Sequence, residues 1–480
     1  MEKQIWVAIT FIAFLLSFTI VGIYSATQKQ NTTTDYLLAS RNVNPWLTAL
    51  SATATSQSGY LFIGLIGFTY KVGFASIWIP VAWAIGDYIA WCFIFKRLRL
   101  VSEQTNSDTV SSFLGQENQG HLITIISALI IIVFLGTSAS GQLVAISKGL
   151  NAIFGWNYQI GIIIGALIVV AYCFSGGIRA SIWTDSVQAV LMIGSLWVLF
   201  IVSLIACGGF GELWIKLNTI DPTLTSWIPA NLPWGFFPYF LGWVGVGFGV
   251  IGQPHILVRG MAINSADNVL LAFKIKFVCG TMISAGALGI GLTARALLPN
   301  LMTSGDPELA LPYLSIELLP VVLVGLILAG LSSAAISTAD SQVLSCSAAL
   351  SQDLVPSAAH SYGKVKIATL LVTVIVLAIA LTGNKNVFDL VIFSWSVLAC
   401  GLGPLLVLRV WEKPVSVPVA ITMMIIGIIV AIIWKLGLNL SSATYELIPG
   451  MAEVFPGMAA GFIVYGISDF LIKPKNLSQE

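Results

Sequence analysis

The chain has 480 residues, of which 57% are hydrophobic and only 9% are charged, and its formal net charge is +1. Soluble domains carry about 25% charged residues, so this composition excludes an ordinary cytosolic enzyme and predicts a polytopic membrane protein. A net charge so close to zero gives no electrostatic basis for binding nucleic acid. The lipid bilayer is therefore the expected surrounding.

Transmembrane helices need about 20 mostly apolar residues. Thirteen segments meet this requirement, so we predict an all-α fold with about thirteen transmembrane helices. The predicted spans are 4–25, 44–70, 74–96, 122–152, 157–175, 182–207, 230–258, 268–296, 314–350, 364–382, 387–410, 416–436 and 454–472. The first span has no basic segment beyond Lys3 and no clear cleavage site, so we interpret it as a retained helix rather than a signal peptide.

Basic residues predict the orientation of these spans. An odd number of spans places the two termini on opposite sides of the membrane. With the N-terminus outside, fifteen of the 22 basic residues lie on the inner side. The positive-inside rule then predicts an outer N-terminus and a cytoplasmic C-terminus in the plasma membrane.

The second predicted span contains a run of small and polar residues. Every residue between Leu50 and Tyr60 is Ser, Thr, Gln, Gly or Ala. One interpretation is a close helix–helix interface of small residues. The other is an unwound segment whose free carbonyls line a binding cavity, which requires that the backbone be shielded from lipid.

The seventh predicted span is also interrupted. Between Gly242 and His255 it carries five glycines and Pro254, and proline removes a helix donor and clashes with the preceding turn. Interrupted helices at corresponding positions of two halves indicate an inverted-repeat transporter. We therefore predict that spans two to six and spans seven to eleven form the two repeats.

The ninth predicted span changes from apolar to polar along its length. After the apolar run from Pro320 to Leu331, Ala334, Ser337, Thr338 and Ser341 follow at spacings that place them on one helix face. Oxygen ligands without imidazole or thiolate suit a hard cation. Polar clusters at membrane depth usually mark an ion or substrate path, so we interpret this segment as part of a cation site in a transporter.

In combination these motifs resemble the sodium:solute symporters, most closely the bacterial sodium/proline symporters. The resemblance extends from about Tyr36 to Pro404. It is carried by Arg41 before the Ser51–Gly59 segment, by Ser175–Arg179 leading into Thr184–Gln188, by Gly252–Ile256 with Arg259, by Ala334–Thr338 continuing to Asp353, and by Trp395 with Gly403 and Pro404.

The resemblance implies a leucine-transporter-type fold of two five-helix inverted repeats, with Na+ as the coupling ion. Carried onto this sequence, the main sodium site would combine backbone carbonyls with two hydroxyls. It would consist of Ala54, Gln57, Ala334, Ser337 and Thr338. Five neutral oxygens suit an ion of single charge that must also be released.

A second sodium site is implied in some members of the family. Here it would use Asp185, Asp340 and Ser341, together with Ser337. Asp340 departs from the uncharged residue expected at its position. Two nearby carboxylates would favour a cation or share a proton, and the alternative is that Asp340 pairs with a basic residue at the inner end of its helix.

The expected substrate pocket also departs from the family pattern. Ser138, Val246 and Val250 stand where the proline carriers have aromatic residues, so the pocket should be wider or differently shaped. The candidate substrate-binding residues are Ser56, Gln57, Ser58, Gly59, Ser138, Gln142, Val246 and Val250.

We predict a sodium-coupled secondary active symporter that imports a small organic solute, either proline or a related small amino acid. The alternatives are a sugar, a carboxylate or an osmolyte as the solute, a sensor built on the same core, and a channel. A membrane enzyme is disfavoured because neither HExxH nor GxSxG occurs. We expect one transporter domain over 1–480, divided into 1–43, 44–207, 230–410 and 411–480, and the oligomeric state stays open.

Overall fold

The computed structural model describes residues 2–27, 32–116, 120–230, 232–355, 362–383, 385–437 and 450–472. Within these ranges the chain consists of helices and connecting segments, with one isolated parallel bridge between Val43 and Ile263. Large apolar side chains such as Ile205 and Phe470 are exposed on the outside of the helices. Apolar surface of this extent is typical of contact with lipid.

The N-terminal half contains eleven helices within the described ranges. They are α1 Glu2–Ala26, α2 Thr33–Leu38, α3 Pro45–Gly59, α4 Ile66–Val72, α5 Trp78–Ala90, α6 Lys96–Gln104, α7 Val110–Leu114, α8 His121–Ile130, α9 Gly136–Phe154, α10 Tyr158–Cys207 and α11 Phe210–Ile220. Single π-helical turns join α3 to α4, α5 to α6 and α8 to α9. Glycines at positive φ turn the chain between predicted spans, namely Gly73 between α4 and α5 and Gly177 inside α10.

The C-terminal half contains ten further helices among the residues described. They are α12 Phe236–Phe248, α13 Pro254–Ala262, α14 Val269–Leu297, α15 Leu301–Ser304, α16 Ala310–Leu318, α17 Val321–Ala348, α18 Tyr362–Thr382, α19 Val387–Val410, α20 Val417–Gly437 and α21 Val454–Ile472. The single span predicted over 314–350 is wrong at its start. Leu319 is extended because a following proline disfavours the helical conformation, so α17 begins only after Pro320.

Nine helical stretches in the described ranges are long and apolar enough to cross a membrane, or ten if α12 and α13, bent by 60°, form one span. Two shorter apolar helices, Tyr158–Ala171 and Val454–Phe470, add to these. One of the nine, Pro45–Gln104, contains both the second and the third predicted span. The count of thirteen therefore stays a prediction.

Helix α17 lies at the centre of the bundle, where it packs against α1, α3, α9 and α10. Every residue from 327 to 344 is buried, including the polar stretch that follows the apolar run. A polar segment buried on all sides is stable only where its groups find hydrogen-bond partners. The hydroxyls and the carboxylate of α17 are thus shielded from lipid and directed toward neighbouring helices.

Candidate functional site

The break in α3 lies at one residue. Asn44 caps the helix and Pro45 occupies its first position, and Ser58 interrupts it with φ 42° and ψ 176°. The remainder of the small-residue run is helical, so the unwound region is narrower than the sequence predicted. The amide of Gly59, just after the break, donates to Oε1 of Gln142 on α9 at 2.9 Å.

Two hydroxyls of α17 contact the carbonyls beside this break. Ser337 Oγ donates to the Ala54 carbonyl at 3.2 Å, and Thr338 Oγ1 donates to the Thr55 carbonyl at 2.9 Å. Both hydroxyls also lie within 3.1 Å of the carbonyl of Ala334 in their own helix. The structure therefore brings together four members of the predicted sodium set and adds Thr55.

The fifth predicted member is not part of this cluster. The carbonyl of Gln57 accepts the amide of Tyr60 in the turn after the break, and the Thr55 carbonyl contacts α17 instead. Side-chain identity carries no signal for this choice, since every residue has a carbonyl. Only the direction of each carbonyl in the folded helix decides which one faces α17.

This oxygen cluster fits a sodium ion. Ala54, Ala334, Ser337 and Thr338 are at most 1% exposed, and all the oxygens are uncharged. They lie at the C-terminal end of the helical part of α3, where the helix dipole gives a partial negative charge. Neutral oxygens at the broken end of a half-helix are the usual ligands for Na+ in transporters of this architecture.

The predicted second cation site contains an arginine. Nη2 of Arg259, on α13, lies 3.0 Å from Oδ2 of Asp185 and also donates to the Ser341 hydroxyl. Nε of the same side chain donates to Ser51 Oγ at 3.1 Å. Since Arg259 is 1% exposed, a second sodium ion would have to share these oxygens with a buried guanidinium.

Asp340 lies beside this arginine without a direct ion pair to it among the described contacts. Its Oδ1 is 3.0 Å from the Ser341 hydroxyl and 3.5 Å from the Ser181 hydroxyl. The carboxylate is 2% exposed. Arg259 therefore reaches Asp340 only through two serines that both residues contact.

The predicted substrate residues separate into two groups. Ser56 and Gln57 line a cavity of about 700 Å³ between α3, α5 and α14. Tyr88 and Phe277 on its rim are 52% and 46% exposed, so the cavity opens toward the expected lipid surface. The wall of this cavity also contains Asp87, paired with Lys276 of α14.

The second group is closed and buried, and it comprises Ser58, Gly59, Ser138, Gln142, Val246 and Val250. Ser138 accepts a hydrogen bond from Nε2 of Gln342 at 2.9 Å, and the Val246 carbonyl accepts one from Trp395 at 2.8 Å. Two buried amide atoms have no partner in the described part of the chain: Nε2 of Gln142, in this group, and Oε1 of Gln342, whose Nε2 contacts Ser138. These two side chains thus offer one free donor and one free acceptor.

Gln342 was missed in the sequence analysis. The sequence feature that could have identified it is an amide side chain one turn beyond Thr338, on a helix face where the other side chains are small and apolar. Because Ser138 and Gln142 are one turn apart on α9, Gln342 joins them into a single polar patch across two helices. Only the packing of α9 against α17 shows this patch.

Another charged cluster lies at the opposite end of the core. Lys148 of α9 contacts Oδ2 of Asp306 at 2.5 Å and also pairs with Oε2 of Glu308. The carboxylate of Glu308 accepts the amides of Val387 and Phe388, at 3.2 and 3.0 Å, in the first turn of α19. These contacts connect α9, the segment before α16 and the start of α19.

Comparison with known proteins agrees with this architecture. The model of the sodium:solute symporter family matches residues 36–427. The chain is 32% identical to the high-affinity proline transporter PutP of Bacillus subtilis, over 89% of this chain and 92% of the relative. It is 30% identical to the sodium/proline symporter of Escherichia coli, over 92% and 90% of the two chains.

A solved structure shares the fold. A Na+-coupled sialic acid symporter in a substrate-bound, outward-open state superposes with a TM-score of 0.78 at 18% identity, over 98% of both chains. The predicted all-α, polytopic fold of the leucine-transporter type is confirmed.

Proposed function

The chain belongs to the sodium:solute symporter family, and from this premise we propose that it imports proline, or a small amino acid of similar shape, together with sodium. It is a multi-pass membrane protein and a sodium-coupled secondary active symporter rather than an enzyme. Na+ is the coupling ion and a small solute is the second ligand. Similarity to the proline transporters of Bacillus subtilis and Escherichia coli supports proline as the solute.

The sodium ion would bind between α3 and α17. The observation that carries this proposal is the contact of Ser337 and Thr338 with the Ala54 and Thr55 carbonyls at 3.2 and 2.9 Å. The carbonyl of Ala334 would complete the set. Bound sodium would replace hydroxyl-to-carbonyl hydrogen bonds with ion–oxygen contacts and hold the two helices together.

The solute would bind at the polar patch next to the break in α3. An amino acid is a zwitterion, and its carboxylate requires donors while its ammonium requires acceptors. Nε2 of Gln142 and Oε1 of Gln342 supply one of each, and both lie in a buried setting where an unmade hydrogen bond is costly.

The two ligands would be coupled through the same backbone break. The two α3 carbonyls of the proposed sodium site, those of Ala54 and Thr55, precede Ser58. The Gly59 amide, which donates to Gln142, follows it. Each ligand would therefore stabilise one conformation of this short segment, which makes its binding favourable for the other. This arrangement accounts for symport without direct contact between ion and solute.

We infer that one sodium ion moves in each cycle. Arg259 already supplies a positive charge to Asp185 and Ser341, two of the residues predicted to hold a second ion. The predicted orientation, with an outer N-terminus and a cytoplasmic C-terminus in the plasma membrane, places Arg259 on the inner side and Lys148 on the outer side.

The proposed function is tested by uptake into proteoliposomes containing the purified protein. Labelled proline should accumulate only with an inward sodium gradient, ahead of a panel of other amino acids, sugars and carboxylates. Ser337→Ala with Thr338→Ala should abolish the sodium stimulation. The matched control is Ser332→Ala with Ser333→Ala, which removes two hydroxyls of α17 that bond to nothing in the described structure and should leave uptake unchanged.

Different measurements test the solute site, the identity of the solute and transport itself. Gln142→Leu and Gln342→Leu should each raise the KM for proline about tenfold or more while leaving sodium activation intact. Accumulation of another solute in preference to proline would contradict the proposed substrate. Binding of proline without any accumulation would favour the sensor interpretation.

A further inference from the structure

A narrow cavity leads away from the Arg259 region toward the end of α17. Its volume is about 30 Å³, enough for one or two water-sized species. Arg259 and Ser341 line one end, and Asp108, Thr109 and Asp353 line the other. Ser341, Ser345, Ala348 and Asp353, on successive turns of α17 and its π-helical extension, form one wall.

Asp353 is a buried carboxylate with an unused oxygen. It lies in the π-helical turn Ala349–Leu354 that ends α17 and is 5% exposed. Its Oδ1 accepts a hydrogen bond from Thr109 at 2.9 Å, whereas Oδ2 is buried without a partner in the described ranges. No Lys or Arg in those ranges forms an ion pair with it.

The remaining wall offers further oxygens. Ser111 is fully buried, lines the same cavity, and its hydroxyl lies beside the Asp353 carboxyl. Thr109 caps the short helix α7 and is thereby fixed in position. A carboxylate and hydroxyls without imidazole or thiolate are ligands for a hard cation.

The position of these oxygens links them to the proposed ion site. The Ser341 hydroxyl, at the other end of the cavity, lies 2.7 Å from the carbonyl of Ser337. An ion that leaves Ser337 and Thr338 toward this end would pass the Arg259 guanidinium, whose charge Asp185 compensates, and would then enter this cavity. A buried carboxylate that lacks a cation would attract it.

We propose that Asp353, together with Thr109 and Ser111, forms a transient sodium site on the inner release path. The proposal rests on the proposed function, because it requires that sodium be released at this end of the molecule. When no sodium ion is bound at Asp353, the uncompensated carboxylate would oppose closure of the release path. A sodium ion that passes through would be held there only briefly.

The test uses proline uptake in proteoliposomes at saturating external sodium. Asp353→Asn should lower the uptake rate about tenfold and leave the external sodium concentration for half-activation within about twofold of wild type. Sodium placed inside the vesicles should inhibit the variant only at severalfold higher concentration. A merely structural role of Asp353 would change stability without weakening this internal inhibition.

A second variant and its control allow the sodium site to be tested even if Asp353→Asn does not fold. If Asp353→Asn does not give folded protein, Ser111→Ala should shift internal inhibition in the same direction by a smaller factor, with Ser332→Ala as the matched control. Normal uptake and normal internal inhibition in the folded variants overturn the sodium site at Asp353. Absence of sodium-driven uptake in wild type would instead overturn the proposed function.

Discussion

Two buried charge clusters, one near each end of the helical core, have the same formal composition but different surroundings. The Lys148 cluster consists of Lys148, Asp306 and Glu308. The Arg259 cluster consists of Arg259, Asp185 and Asp340. Each sets one cation against two carboxylates, so each has one surplus negative charge if all groups are ionised.

The surplus charge is stabilised at one end only. Glu308 accepts two backbone amides at the start of α19, where the helix dipole favours a negative charge, and the side chain of Asp306 is 44% exposed to solvent. Asp340 is buried, and its carboxylate contacts two serine hydroxyls, at 3.0 and 3.5 Å, and the Ser341 amide in the described structure. The comparison teaches that both carboxylates of the Lys148 cluster are compensated, whereas Asp340 in the Arg259 cluster forms no ion pair of its own within the described ranges.

Replacing the arginine should have the largest effect. Arg259→Gln leaves Asp185 and Asp340 buried without a compensating charge, and we expect a loss of about 3–5 kcal/mol of stability together with loss of uptake. Thermal unfolding of the purified protein in detergent and proline uptake measure the two effects. Arg259→Gln combined with Asp185→Asn should recover most of the stability, and failure to recover it would contradict the ion pair as the cause.

Replacing the lysine should cost less. Lys148→Met removes the cation between Asp306 and Glu308, but the amides of α19 and solvent still stabilise the two carboxylates. We expect a loss of about 2 kcal/mol, below that of Arg259→Gln. If thermal unfolding shows the reverse order, the contrast between the two clusters is wrong.

A steric change can disturb the Lys148 cluster without altering its charge. A Cβ on Gly67 of α4 would lie 2.9 Å from the backbone of Glu308, so Gly67→Ala should displace this segment and cost about 1–2 kcal/mol. Gly136→Ala is the matched control, since its Cβ would meet only Val376 at 3.9 Å. Equal melting temperatures for the two variants would show that Glu308 is not tightly held.

The smallest effect is expected at Asp340. Asp340→Asn removes the surplus charge of the Arg259 cluster and keeps the shape of the side chain, so stability should change by less than about 1 kcal/mol. The Hill coefficient for sodium should stay close to one. A coefficient that falls from about two in wild type to one in this variant would instead support the second sodium site.

The sequence predicted four of the five oxygens that the structure brings together at the proposed ion site. Hydroxyls at helical spacing indicated Ser337 and Thr338, and the small-residue run indicated the segment of α3 that meets them. The fifth predicted residue was Gln57, whereas the Thr55 carbonyl contacts Thr338, because carbonyl direction depends on the exact residue at which the helix breaks. No residue pattern encodes that position strongly, since Ser58 is not a glycine and still adopts a positive φ.

Contacts between distant segments were beyond the sequence. Asp87 lies in an apolar run and its partner could not be named in advance, whereas the structure pairs it with Lys276 across 189 residues of chain. Arg259 was one member of a motif, yet its position among Asp185, Ser51 and Ser341 depends on how α13 packs against α3, α10 and α17. The polar patch around Gln342 depends on packing in the same way.

Composition and the length of the apolar segments determined by themselves that this chain is an all-α membrane protein, because a spanning helix needs about 20 mostly apolar residues. Glycine and proline placement predicted the break in the seventh span, between α12 and α13. Tertiary structure alone decided which charges neutralise one another, which carbonyls face α17 and which carboxylate, Asp353, forms no ion pair in the described ranges. Electrostatic and hydrogen-bonding energies depend on distances of a few ångströms between helices far apart in sequence, and a linear pattern contains no such distances.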